Sequence, residues 1–205
     1  MQQIKNIIFD LGNVILDIDT NLSKEAFSKQ GLENFEELYT LAAQSEIFDK
    51  LEVGAISPEQ FYSEFRKITS SNLSDEIIRD CWNELIMDYT QIRIDLLQNL
   101  RNQYRTFILS NTNLIHYNFY TELLRQKHKI NGLEALVEKA YFSHEIGLKK
   151  PNPEIYEFVL KDSSLNASET LFIDDNLSNI EIAKECGLMT FWLKEGSLEN
   201  LNFLK

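Results

Sequence analysis

Glycine, proline and cysteine are all scarce in this chain. Seven glycines and three prolines in 205 residues leave little scope for long disordered linkers. The two cysteines, Cys81 and Cys186, stand far apart, with no CxxC pair and no neighbouring histidine. They read as two buried thiols in a reducing compartment, which excludes a disulfide framework. Long apolar runs are missing too. Even the stretch from Asn6 to Leu16 is broken by Asp10, Gly12 and Asn13, so no bilayer span is expected. The first five residues lead straight into a strand without a secretory leader pattern, and a cytoplasmic location is the expectation. Positive charge is also short. Twenty Lys and Arg face 32 Asp and Glu, a formal net charge of −12. A field of that sign repels nucleic acid and anionic membranes, so neither is expected as a partner. An anionic ligand would need local cations to offset it: a bound metal and one or two lysines.

What is present is a patterned globular sequence, 43% hydrophobic and 25% charged, long enough for one core plus a small lobe. Residues 4–9 form a short apolar run, as a buried parallel strand does. From about Thr20 to Met87 the apolar period becomes helical. Leu22 and Phe27 mark one group; Phe35, Leu38, Leu41 and Ala42 a second; Phe61, Phe65 and Ile68 a third; Ile77, Ile78, Cys81 and Leu85 a fourth. Ser57-Pro58-Glu59-Gln60 is a helix start, with a serine cap, proline at the first helical position and glutamine closing a capping box. About four helices and no strand are expected there.

Strands and helices then alternate. Helices are expected at 91–102, 114–127, 153–161 and 178–185, and strands at 105–109, 140–142, 170–173 and 189–193. Alternation of this kind predicts an α/β fold, a doubly wound parallel sheet with helices on both faces. The helical stretch is then an insertion after the first strand. The expected division is 1–19 plus 89–205 for the sheet core and 20–88 for the helical lobe.

Open parallel sheets bind ligands beyond the carboxyl ends of their strands. Asp10 follows the first strand, Ser110 and Asn111 the second, Lys149, Lys150 and Pro151 the third, and Asp174 and Asp175 the fourth. One edge therefore gathers carboxylates, a hydroxyl, amides and ammonium groups. Converging carboxylates repel one another, and Mg²⁺ resolves the repulsion through hard oxygen ligands. The ion also offsets repulsion between an attacking carboxylate and an anionic phosphoryl group. Attack by a carboxylate gives an aspartyl phosphate, which splits one hard step into two. A serine hydroxyl and a lysine can hold the phosphoryl oxygens.

The strings FDLGNV (9–14), LSNTN (109–113), GLKKPNPEIY (147–156) and FIDDNLSNIE (172–181) occur in order, each after an expected strand. Together they resemble the four motifs of the haloacid dehalogenase superfamily over essentially the whole chain. The nearer likeness is to bacterial α-D-glucose 1-phosphate phosphatases and the phosphatase domain of soluble epoxide hydrolases. The resemblance implies a Rossmann-like core with a small helical cap, and a Mg²⁺-dependent phosphatase acting on a small phosphomonoester such as glucose 1-phosphate. It implies Asp10 as nucleophile, Lys150 as catalytic and phosphate-binding lysine, and Ser110 and Asn111 as substrate-binding groups. The implied metal ligands are Asp10, the backbone carbonyl of Gly12, Asp175 and Asp174.

One position departs from the pattern. Most such phosphatases carry a second aspartate two residues after the nucleophile, as general acid and base. Here it is Gly12. Glycine keeps the carbonyl a metal needs but loses a contribution of ~10²–10⁴-fold. Either the substrate has a good leaving group, as an anomeric phosphate has, or Asp17, Asp19, His116 or His144 serves as acid, or turnover is slow. A non-catalytic phospho-ligand binder and a metal-independent dehalogenase are the competing readings. The Asp174-Asp175 pair speaks against the second. His116 and His144 also have the plain reading of satisfied histidines, and Trp82 and Trp192 that of core residues. Asn179 is expected to order the acidic loop.

Overall fold

The computed structural model describes residues 3–32, 46–194 and 197–201. In chain order its elements begin with β1 (Asn6–Phe9), β2 (Leu16–Ile18) and α1 (Thr20–Lys29). Next come α2 (Ile47–Glu52), α3 (Pro58–Thr69), α4 (Asp75–Asn83), β3 (Ile86–Tyr89) and α5 (Gln91–Leu100). The rest are β4 (Arg105–Ser110), α6 (Leu114–His128), β5 (Lys139–Phe142), α7 (Ser143–Ile146), α8 (Pro153–Asp162), β6 (Thr170–Asp174), α9 (Leu177–Glu185) and β7 (Met189–Trp192).

Five strands form one parallel sheet in the order β5-β4-β1-β6-β7. The first strand lies at its centre and is buried along its whole length. Apolar clusters cover both faces, one holding Ile7, Phe9, Ile108 and Ile173, the other Ile8, Phe107, Leu109 and Phe172. Successive side chains alternate between the faces, so a central strand buried on both must be apolar throughout. The expected α/β class and doubly wound parallel sheet are what the structure has.

The helices between β2 and β3 gather a third cluster, with Phe27, Leu51, Phe61, Phe65, Ile78 and Trp82 among its buried residues and Ile115 of α6 joining it from the sheet side. The capping box forms as expected: Ser57 accepts from the Gln60 backbone while Gln60 bonds back to the Ser57 N–H. The expected helical group at Phe35, Leu38, Leu41 and Ala42 lies outside the described residues.

Two expectations need correction. Residues 20–88 were expected to hold no strand, yet β3 pairs antiparallel with the unexpected β2. This two-stranded ribbon straddles the expected boundary at 88/89. Its strands are too short to show alternation, and their partners lie some seventy residues apart in sequence. Trp192 is not core: it is 38% exposed, and its indole N–H donates to the Asp175 carbonyl at 2.9 Å. Of the two thiols, Cys81 is buried and Cys186 is only partly so. No described helix is long and apolar enough to cross a membrane.

Candidate active site

Register alone brings the key residues together. Phe9 pairs with Ile108 on one side and Ile173 on the other. One step on, Asp10 therefore stands level with Leu109, the residue before the end of β4, and with Asp174. The Asp10 N–H donates to the Ile173 carbonyl at 2.8 Å, which fixes the carboxylate at the sheet edge.

Lys150 reaches this edge from the loop after α7. Its ammonium lies 2.6 Å from Asp10 Oδ1 and 2.7 Å from Asp174 Oδ2, with the side chain 1% exposed. The Asp10, Asp174 and Asp175 oxygens lie within 4.8 Å of one another. Burial raises the Asp10 pKa, and the Lys150 ammonium only partly counters it. Burial disfavours the charged Lys150, but Asp10 and Asp174 outweigh that and hold its pKa above the ordinary value. Asp175 is also raised by burial, against a lowering hydrogen bond from Asn13. Three acids and one ammonium leave this cluster short of positive charge, and burial makes that shortage costly.

The two loop acids differ. Asp174 is fully buried, with both oxygens taken: Oδ1 accepts from the Asn176 N–H and the Asn179 amide, Oδ2 from Lys150 and Asn179. Asp175 is half-buried and accepts from the Asn13 amide at 3.0 Å. Asn179 thus orders the loop, as expected. Gly12 bridges to Leu16, and no described residue donates to its carbonyl. Its backbone is not left-handed, and an added Cβ would meet only the tip of Ile18, at 3.2 Å. An oxygen-only donor set of this kind fits a hard divalent cation.

Asn111 has a task that the sequence did not show. Its amide N–H donates to the Lys150 carbonyl at 2.8 Å, and its Oδ1 accepts from the Lys150 N–H at 2.8 Å. The side chain thereby positions Lys150, and it keeps a second N–H and a second oxygen lone pair on the cavity wall. Sequence reasoning missed a similar clamp at Ser143, whose hydroxyl accepts from the Thr112 N–H and donates to the Thr112 carbonyl, each at 2.9 Å. No local signal marks either pair, because each partner lies more than thirty residues away. Asn13 was also missed. It takes a left-handed φ of 55°, a conformation asparagine tolerates, and this was the available cue.

A cavity of about 510 Å³ opens between the sheet edge and the helical segment. Its wall includes Gly12, Ser110 and Asn111 from the sheet side and Ser23, Phe48, Leu51 and Trp82 from the helices. Ser110 is 3% exposed and bonds only weakly, 3.4 Å from its neighbour's carbonyl, so its hydroxyl is available to a ligand. Asp10, Lys150, Asp174 and Asp175 are not among the wall residues, but Leu11 and Gly12, which directly follow Asp10, are. Of the four substitute acids, only His116 lines the cavity. Asp17 pairs with the buried Arg93 at 2.6 Å, Asp19 caps α1, and His144 packs against Tyr117 and Phe142. Lys149 pairs with Asp49 and with Glu52 of α2, the latter a residue of the cavity wall.

Comparison with known proteins gives a coherent picture. Residues 4–187 match the family model described as haloacid dehalogenase-like hydrolase. The chain is 35% identical to a D-ribitol-5-phosphate phosphatase of Bacteroides thetaiotaomicron over 196 residues, which cover 95% of this chain and 94% of that one. A crystal structure of a HAD family enzyme from the same organism, in complex with magnesium and inorganic phosphate, superposes with a TM-score of 0.86. Identity to it is 35%, with 98% of each chain covered. A HAD-like hydrolase structure from Porphyromonas gingivalis gives a TM-score of 0.83 at 30% identity, over 93% of this chain and 91% of that one.

Proposed function

The chain belongs to the haloacid dehalogenase-like hydrolase family, and from that premise we propose that it is a magnesium-dependent phosphatase of a small sugar or polyol phosphate. The observation that carries the proposal is the buried cluster of Asp10, Asp174 and Asp175 around Lys150 at the carboxyl edge of the sheet.

In this reading Asp10 attacks phosphorus with its carboxylate. The bond to the ester oxygen breaks, the alcohol leaves, and an aspartyl phosphate remains. Water then cleaves that phosphate and restores Asp10. Lys150 and Ser110 hold the phosphoryl oxygens. Asp10, Asp175 and the Gly12 carbonyl would hold magnesium, which supplies positive charge between carboxylate and phosphate. Asp174, fully engaged with Lys150 and Asn179, belongs to the same cluster and acts by fixing the lysine and the loop. The sheet and the helical segment serve as core and cap, divided near residues 19/20 and 88/89, and the cap encloses the alcohol part. A cytoplasmic setting belongs to the same proposal.

The Bacteroides relative is named for ribitol 5-phosphate, an ester of a primary alcohol. Such an oxygen leaves less readily than an anomeric one, so a good leaving group is not the account of Gly12 that this likeness favours. The leaving oxygen would then take its proton from water. Glucose 1-phosphate remains a test substrate.

The test is phosphate release from ribitol 5-phosphate, glucose 1-phosphate and glucose 6-phosphate, with Mg²⁺ and with EDTA. Mg²⁺-dependent release, lowered at least ~10⁴-fold in Asp10→Asn, is the expected outcome. Release that survives EDTA or the substitution would overturn it. Metal-loaded, folded protein that binds phosphate but releases none would favour a binding role.

A further inference from the structure

His116 holds a defined orientation in the cavity wall. Its ring lies flat on the Trp82 indole, with centroids 5.5 Å apart and planes 9° apart. Its Nδ1 is 3.0 Å from Asn83 Oδ1. Asn83 is itself only 3% exposed and neighbours Trp82 at the end of α4. The stack fixes the plane of the ring, and the hydrogen bond fixes its rotation in that plane. An amide oxygen only accepts, so Nδ1 carries the hydrogen.

The other nitrogen is then an acceptor. Burial pushes the His116 pKa down to about 3, so the ring is neutral near pH 7. With hydrogen on Nδ1, Nε2 presents a bare lone pair. No described residue donates to it, and it is not among the sealed, unpartnered polar atoms of the interior. The cavity wall combines apolar residues such as Leu16, Phe48, Leu85 and Ile86 with polar ones such as Ser23 and Glu52. A neutral ring whose one proton faces Asn83 cannot replace the acid missing at position 12.

The geometry points to His116 as a specificity-determining residue: its Nε2 accepts a hydrogen bond from a hydroxyl on the carbon chain of the substrate. This rests on the phosphatase reading, since the ester must enter with its phosphate toward Asp10. It gives that reading's polyhydroxylated phosphomonoesters a partner in this chain. An alkyl chain in the same place would leave the acceptor unpaired, and sites built to bond a hydroxyl reject analogues that lack it.

Two probes of equal carbon chain length test the assignment, D-ribitol 5-phosphate and n-pentyl phosphate. The wild-type protein should prefer the ribitol ester in kcat/KM. In His116→Phe, which keeps a ring against Trp82 but has no acceptor, that preference should fall about tenfold, carried by KM. His116→Gln, with an oxygen to offer, should recover part of it. Equal losses on both esters, or no change in the preference, would overturn the assignment. A second readout needs no turnover. In Asp10→Asn with Mg²⁺, the ¹⁵N resonance of His116 Nε2 should move on titration with ribitol 5-phosphate and not with pentyl phosphate. An unmoved resonance at saturating ligand would also overturn it. If the resonance moves but the wild-type protein hydrolyses neither ester, the phosphatase reading fails and the role of His116 stands.

Discussion

Asn111 and Lys150 hold each other by two hydrogen bonds, side chain against backbone. The clamp sets where the lysine backbone sits, and hence where its ammonium meets Asp10. Asn111→Ala removes both bonds and leaves two backbone groups to find other partners. A misplacement of about 1 Å in such a site can cost ~10²-fold in rate. We expect kcat to fall by about that factor with a smaller change in KM, measured on whichever ester the wild type hydrolyses best. A change confined to KM would show that Asn111 contacts substrate after all. Position 12 invites the opposite experiment. Because a Cβ there meets only the flexible Ile18 tip, Gly12→Asp should fold normally. It should speed hydrolysis of primary alcohol esters more than of anomeric phosphates, since only the former need a proton badly. Equal gains for both would show that the new carboxyl does not protonate the leaving oxygen. The sequence makes Asp10, Ser110, Asp174 and Asp175 legible because each ends or follows a strand, and Lys150 legible through the Lys-Pro step in its loop. It hides the clamp on Lys150, because a side chain's partner across a loop is set by tertiary packing and not by local pattern.

At the level of elements, the helical segment meets the sheet side through a close backbone approach. Gly54, just past α2, has a φ of +66°, and a Cβ there would stand 2.2 Å from the carbonyl oxygen of His144 in α7. Both the conformation and the contact demand glycine. Gly54→Ala should therefore destabilise the protein by ~2–4 kcal/mol, read from urea midpoints at constant slope. A neutral result would mean that this junction yields easily. The elements themselves were unevenly readable. The α3 start was legible residue by residue, since Ser57, Pro58 and Gln60 each act locally. The ribbon of β2 and β3 was not, because Leu16, Asp17 and Ile18 give too few residues for a period. Short α7 was missed for the same reason.

The whole molecule carries a charge of −12, and its proposed substrate is an anion. Local cations at the site act over a few ångströms, whereas the global field acts at the distance of approach. Salt shortens that distance, from a screening length of ~30 Å at 0.01 M to ~8 Å at 0.15 M. At saturating Mg²⁺, kcat/KM for a phosphate ester should accordingly rise as NaCl is raised over that range, with kcat nearly constant. A fall would mean that the field at the cavity mouth is positive despite the total. Composition alone made the sign of the field legible. The place where the site escapes it needed the structure, since Lys150 is one lysine among several in sequence, and only in space is it seen buried between Asp10 and Asp174.

Lys149 and Lys150 are consecutive, yet one grips the helical segment and the other the reaction centre. The outer link, from Lys149 to Asp49 and Glu52, is partly exposed. Links of that kind contribute ~1 kcal/mol at most, an odds ratio of about five to one. By itself, such a bond would stand broken roughly one sixth of the time. The outer lysine is therefore too weak a tie to seat the helical segment by itself; the Gly54–His144 approach and the Trp82 and Asn83 contacts to His116 share that task, and losing Lys149 alone should leave the cavity enclosed.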